Sequence, residues 1–206
     1  MSRLKQAMPA LIGLTICGLL TLPGGADLRA QGVAAQECCC DLCVDLNRTL
    51  VTGDPVSGTD PWTITSASYN GLANVETPSV AGWGSIGGAN WVGPIAAKGK
   101  PNRSAPGGDY TYERHFNLCR GFTNPKLVVR LLADNSATVF LNGCTVGVTK
   151  GGIKGFVNPP TVLASPPATC FQAGCNTLRV VVNNDGVSAT GLDLSATLTA
   201  TKGLCK

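Results

Sequence analysis

Between Tyr110 and Ala200 the chain is written largely in a two-residue period, and no other feature restricts its fold so strongly. Leu192, Leu194, Ala196, Leu198 and Ala200 alternate with Asp193, Ser195, Thr197 and Thr199. Successive strand side chains point to opposite faces, so this alternation describes a strand with one buried and one wet face. "YTYERHFNL" repeats it, with Tyr110, Tyr112, Arg114, Phe116 and Leu118 on one side and Thr111, Glu113, His115 and Asn117 on the other. "KLVVRLLAD", "ATVFLNG" and "NTLRVVVNND" follow the same rule.

Turn residues punctuate these runs at Asn124-Pro125, Asp134-Asn135-Ser136, Asn142-Gly143, Asn158-Pro159-Pro160 and Asn184-Asp185-Gly186. Each combination favours a reversal, through side-chain bonding to the backbone, a fixed φ or a positive φ. Residues 131–147 therefore read as a hairpin that turns at Asp134-Asn135, with Asn142-Gly143 closing a second tight turn. "PWTITS" and "NWVGP" are shorter strand candidates between Gly-rich loops. The sum is about eight strands, the number expected of an all-β, two-sheet antiparallel β-sandwich or jelly roll. Composition agrees: 26 Gly, 13 Pro and only 14% charged residues in 206 describe a loop-rich β protein of one domain.

The N-terminus reads differently. Arg3 and Lys5 precede the apolar run Met8 to Leu22, which ends at Pro23-Gly24-Gly25. That is the pattern of a signal peptide, too short to span a bilayer comfortably. Cleavage after Ala30 or Ala35 fits the small residues there, and the chain divides into a signal peptide (residues 1–35), a Cys-rich leader (36–59) and a sandwich domain (60–206). The expectation is a secreted or cell-surface protein with no membrane span in its mature form.

Export places Cys38, Cys39, Cys40, Cys43, Cys119, Cys144, Cys170, Cys175 and Cys205 in an oxidising compartment, where disulfides are the expected state. The single Cys-x-x-Cys, Cys40 to Cys43, has no second pair and only one histidine in the chain to complete a zinc site. Adjacent cysteines bridge each other only with strain, so Cys38, Cys39 and Cys40 are expected to reach partners elsewhere in the chain or in another chain; if the leader is an intramolecular staple, it takes Cys119, Cys144 and Cys205, and Cys170 and Cys175 close "CFQAGC". An odd number leaves one thiol free or intermolecular.

Catalytic patterns are missing: no Gly-x-Ser-x-Gly, His-Glu-x-x-His or phosphate-cradling loop occurs, and the sole histidine, His115, lies in mid-strand. A formal charge of +4, spread along the chain, supplies no groove for nucleic acid. The sequons at Asn47 and Asn102 mark surface positions.

The succession "DPWTI", "NWVGP", "APGGDYTYERHFNL", "ADNSATVFLNG", "NTLRVVVNN" and "TGLDLSATLTA" resembles the galactose-binding-domain-like jelly rolls of secreted bacterial proteins, over residues 60–201. The resemblance implies a non-catalytic module, such as a carbohydrate-binding module, and gives Asp134 and Asn142 framework roles. Trp62 and Trp91 lie in strand-like segments and are expected in the core. Trp83, between glycines, is the candidate for stacking on a sugar, with Tyr69, Asn70 and Asn90 from adjacent loops. Asp134 and Asn135 are alternative ligands for a sugar or for a structural Ca²⁺; no other cofactor is expected. The expected partner is a polysaccharide or glycan. The alternative is a structural subunit of the cell surface or matrix, assembling through the N-terminal cysteines.

Overall fold

The alternating segments form strands in a computed structural model, which describes residues 43–53, 62–66, 72–73, 75–76, 80–94, 104–150 and 154–205. They are β1 (Cys43–Val51), β2 (Thr63–Ser66), β3 (Leu72–Ala73), β4 (Val75–Glu76), β5 (Val92–Gly93), β6 (Gly108–Leu118), β7 (Thr123–Asp134), β8 (Ser136–Leu141), β9 (Cys144–Val148), β10 (Thr161–Leu163), β11 (Gly174–Asn184) and β12 (Gly191–Cys205). A single 3-10 turn, Ala168–Cys170, precedes β11.

One six-stranded sheet runs β10-β7-β12-β5-β4, with β1 also paired to β12; the other runs β3-β2-β6-β11-β8-β9. All pairings are antiparallel. β7 lies along one side of β12, and β1 and β5 share its other side end to end. The chain crosses between sheets at nearly every connection after β6, which is the winding of a jelly roll.

The core lies between the sheets. Leu127, Val129, Leu131 and Ala133 of β7 and Leu192, Leu194, Ala196 and Leu198 of β12 meet Tyr110, Tyr112 and Phe116 of β6, Leu178, Val180 and Val182 of β11, and Val139 and Leu141 of β8. Arg114 shares that inner side, as its place in the alternation requires, and its Nη1 donates to the Val51 carbonyl at 3.3 Å. Trp62 is buried in the same core and donates its indole N–H to that carbonyl at 3.0 Å.

Three expectations are corrected here. Asp134-Asn135 is not a hairpin turn: β7 belongs to the first sheet and β8 to the second, and the chain crosses the core at Asn135. Each strand has one apolar face, and both faces are used by opposing across the core instead of by pairing. The hairpin forms one step later, where Asn142 (φ 50°) and Gly143 (φ 85°) join β8 to β9 through the positive φ values a two-residue turn needs. The leader is also shorter than 36–59, since β1 pairs with β12 and buries Leu46 and Leu50 in the core.

The third correction concerns the cysteines. Cys170 bridges Cys144, with Cα atoms 5.9 Å apart, and not Cys175, which is free and exposed. Alternation explains the outcome: Asn176 and Leu178 of β11 point inward, so Cys175 faces outward, while the 3-10 turn sets Cys170 beside β9. Cys144 is thereby unavailable to the leader. Cys119 is also disulfide-bonded. Cys43 and Cys205 are register partners across β1 and β12, and Cys38, Cys39 and Cys40 lie outside the described residues.

Candidate site on the outer face of the first sheet

On β7 the alternation breaks at Leu131-Leu132. Val128 and Arg130, on the outer face, are exposed, yet the next two outer residues, Leu132 and Asp134, are buried. β12 repeats the change, passing from exposed Thr197 through half-buried Ser195 to fully buried Asp193. The alternation assigned Asp193 to the wet face, and that expectation is overturned because a second layer covers this end of the sheet.

The layer is the uncharged segment 80–91 together with residues 154–160. Ile86, Trp91 and Leu132 form a small apolar cluster apart from the main core, with Trp83, Ala89 and Phe156 packed around it. Gly84 N–H donates to the Phe156 carbonyl at 2.8 Å, and Trp91 Nε1 donates to the Gly84 carbonyl at 2.9 Å. A Cβ at Gly84 would lie 2.6 Å from Asn158 Oδ1 and 2.9 Å from Leu132 Cδ1, so any larger residue there would displace both side chains.

Two acidic side chains bond the segment from below. Asp193 Oδ2 accepts the Ile86 N–H at 2.9 Å, and the Asp134 carboxylate accepts the Trp83 indole N–H. Asp134 stands opposite Gly191 and Asp193 opposite Leu132, so the two acids are diagonal neighbours on one face. Burial pushes each carboxyl up to about 6, and the hydrogen bonds from Trp83 and Ile86 offset part of that rise.

Trp83 is consequently positioned on two sides. Its ring lies 4.2 Å from that of Trp91 at an interplanar angle of 39°, and 6.3 Å from Phe156. It remains half-exposed, and a Cβ at Gly82, Gly87 or Gly88 would meet nothing within 4 Å. The structure brings Trp83 and Asp134 together but does not gather the other candidates. Asn135 Oδ1 accepts the Asp185 N–H at 2.7 Å, and exposed Asn90 donates to the Gly53 carbonyl at 3.0 Å. Tyr69 and Asn70 lie outside the described residues. Trp91 is buried as expected, but in the outer cluster.

Phe156 and Asp193 were missed by sequence reasoning. The signal for a covered outer face was present in the adjacent leucines of "RLLAD", which break the period. On the open face of the second sheet, His115 Nδ1 lies 3.0 Å from Thr177 Oγ1 and the Arg179 guanidinium stacks 4.7 Å from the Phe140 ring centre. Among the described residues no three His, Cys, Asp or Glu side chains converge, and no helix is long and apolar enough to cross a membrane.

No family model matches the chain, and no curated protein matches its sequence. Solved structures do match in fold. An α-L-rhamnosidase from Streptomyces avermitilis is 24% identical over 70% of this chain and 12% of its own, with a TM-score of 0.41. A putative β-galactosidase from Bacteroides fragilis is 12% identical over 73% of this chain and 23% of its own, with a TM-score of 0.41. A family 35 carbohydrate binding module from Clostridium thermocellum is 10% identical over 73% of this chain and 97% of its own, with a TM-score of 0.37. This chain is similar to them as a two-sheet jelly roll, the fold that its strand order displays.

Proposed function

We propose that the chain is a secreted, non-catalytic carbohydrate-binding module whose contact surface is the half-exposed ring of Trp83. The observation that carries this reading is the clamping of that ring. Trp91 supports it, Asp134 fixes its N–H edge, and side-chain-free positions flank it. A rigid indole loses little conformational freedom when a flat sugar ring stacks on it. The non-catalytic reading is supported by the burial of Asp134 and Asp193 beneath the segment 80–91, since glycoside hydrolysis needs carboxyl groups open to the scissile bond.

Native-gel retardation by soluble polysaccharides, together with pull-down on insoluble ones, will identify a ligand. Trp83→Ala is then expected to weaken its binding by about 1–3 kcal/mol, roughly 5- to 150-fold, with a much smaller loss of stability. An unchanged affinity in a folded Trp83→Ala chain would remove the ring from the site.

A second reading, a covalently assembling surface subunit, is favoured by Cys175, which offers a free thiol on an outer strand face. On that reading, non-reducing gels of the oxidised chain show dimers that reductant and Cys175→Ser both abolish. A monomer under non-reducing conditions counts against it.

A further inference from the structure

We propose that the segment 80–91 is an acid-latched cover on the first sheet, closed while Asp193 is protonated and released when that group ionises. The proposal is independent of the sugar-binding reading and rests on the placement of one side chain. Asp193 is fully buried on a face that the strand pattern would leave wet, where the small cluster of Ile86, Trp91 and Leu132 forms, with Leu132 its register partner on β7. Its Oδ2 accepts one backbone N–H, from Ile86 in the cover, while its Oδ1 has no hydrogen-bond partner among the described residues. A carboxylate has about four acceptor positions to satisfy, and burying the charge with one neutral donor is costly.

The charged surroundings do not compensate. The segment 80–91 carries no titratable residue. β7 presents Asp134, a second acid, and exposed Arg130, which stands opposite Ser195. The strand β12 adds only Ser195 and Thr197 on this face, the end of β1 offers the uncharged Thr52 and Gly53, and β5 is Val92-Gly93. The segment 154–160 contributes exposed Lys154. No described cation is buried beside Asp193. Lifting the cover hydrates both oxygens and leaves the sheet beneath intact, because the strands pair without the cover. The opening equilibrium therefore absorbs the ionisation, and the cover loosens as the pH rises through about 6, where burial has moved the group.

Hydrogen exchange of the Gly84, Ile86 and Ala89 amides, each bonded within or beneath the cover, tests this in the full chain. After correction for intrinsic exchange rates, their opening constant is expected to rise roughly 10- to 100-fold between pH 4.5 and 8. The core amides of β11 should show no matching change. Asp193→Asn should lessen the dependence of the three amides, Asp134→Asn should leave the share that Asp193 carries, and the doubly substituted chain should be independent of pH. A flat wild-type profile overturns the proposal. So does a dependence undiminished in folded Asp193→Asn, or one that vanishes in Asp134→Asn. Should Asp193→Asn fail to fold, the wild-type and Asp134→Asn profiles decide alone.

Discussion

Replacing Cys144 and Cys170 together by serine is expected to lower the free energy of unfolding by about 3.5 kcal/mol, the loop-closure value for a bridge spanning 26 residues. The bridge is set in a buried hydrogen-bond cluster that makes the native geometry rigid on both sides. Asn142 Nδ2 donates to the Cys170 carbonyl and to Asn176 Oδ1, each at 2.8 Å, and Asn142 Oδ1 accepts the Thr177 N–H at 2.8 Å. Asn176 is fully buried, accepts the Gln172 N–H and donates to the carbonyls of Gln172 and Gly174. Because these bonds hold the 170–177 segment without the sulfur link, the doubly substituted chain should still fold. Its loss should come mainly from the greater freedom of the unfolded state. Urea unfolding with an unchanged slope checks this, and a loss below about 1 kcal/mol would show that the cluster alone closes the loop.

Trp91→Ala is expected to cost about 3–5 kcal/mol, as do other truncations of a buried tryptophan. Trp91 is 3% exposed, fills the space over Leu132 together with Ile86, and satisfies the Gly84 carbonyl with its indole N–H. Its removal would leave a cavity under the cover, an unsatisfied carbonyl and no support for the Trp83 ring. Two measurements locate the effect: global unfolding by denaturant, and protection of the Gly84 and Ile86 amides. Both should fall. Unchanged protection of the two amides would show that Trp91 does not hold the cover. Trp83→Ala, at a half-exposed position, should be much milder.

The sandwich was legible wherever a strand has one dry and one wet face. β6, β7, β8, β11 and β12 all lie in segments with a two-residue period, and their inward residues are those the period selects. β1 escaped because the leader was read through its cysteines, although Leu46, Arg48 and Leu50 stand opposite Ala200, Leu198 and Ala196. β10 is too short, at Thr161–Leu163, for a period to declare itself. The outer site was only half legible. Trp83 could be singled out by the glycines around it, but its contact with Asp134 spans about fifty residues of sequence and arises only when a loop folds over a sheet face. The assignment of Asp193 to solvent failed for the same reason: a two-residue period says which side of a strand a residue takes, not whether something else lies on that side.

The pairing of β1 with β12 joins residues 43–51 to residues 195–205, nearly the full described length of the chain apart. β12 is also the partner of β7 and β5, so one sheet has no centre until this strand exists. Contacts between distant parts of a chain pay their loop-closure entropy before any reward is collected, and folding dominated by them is slow. The second sheet can form its β6-β11-β8 ladder earlier, but its apolar face has nothing to cover it until the first sheet assembles. The sandwich therefore cannot close before β12 has been synthesised. Until then the half-made sheet, with its apolar face uncovered, is the form most exposed to aggregation.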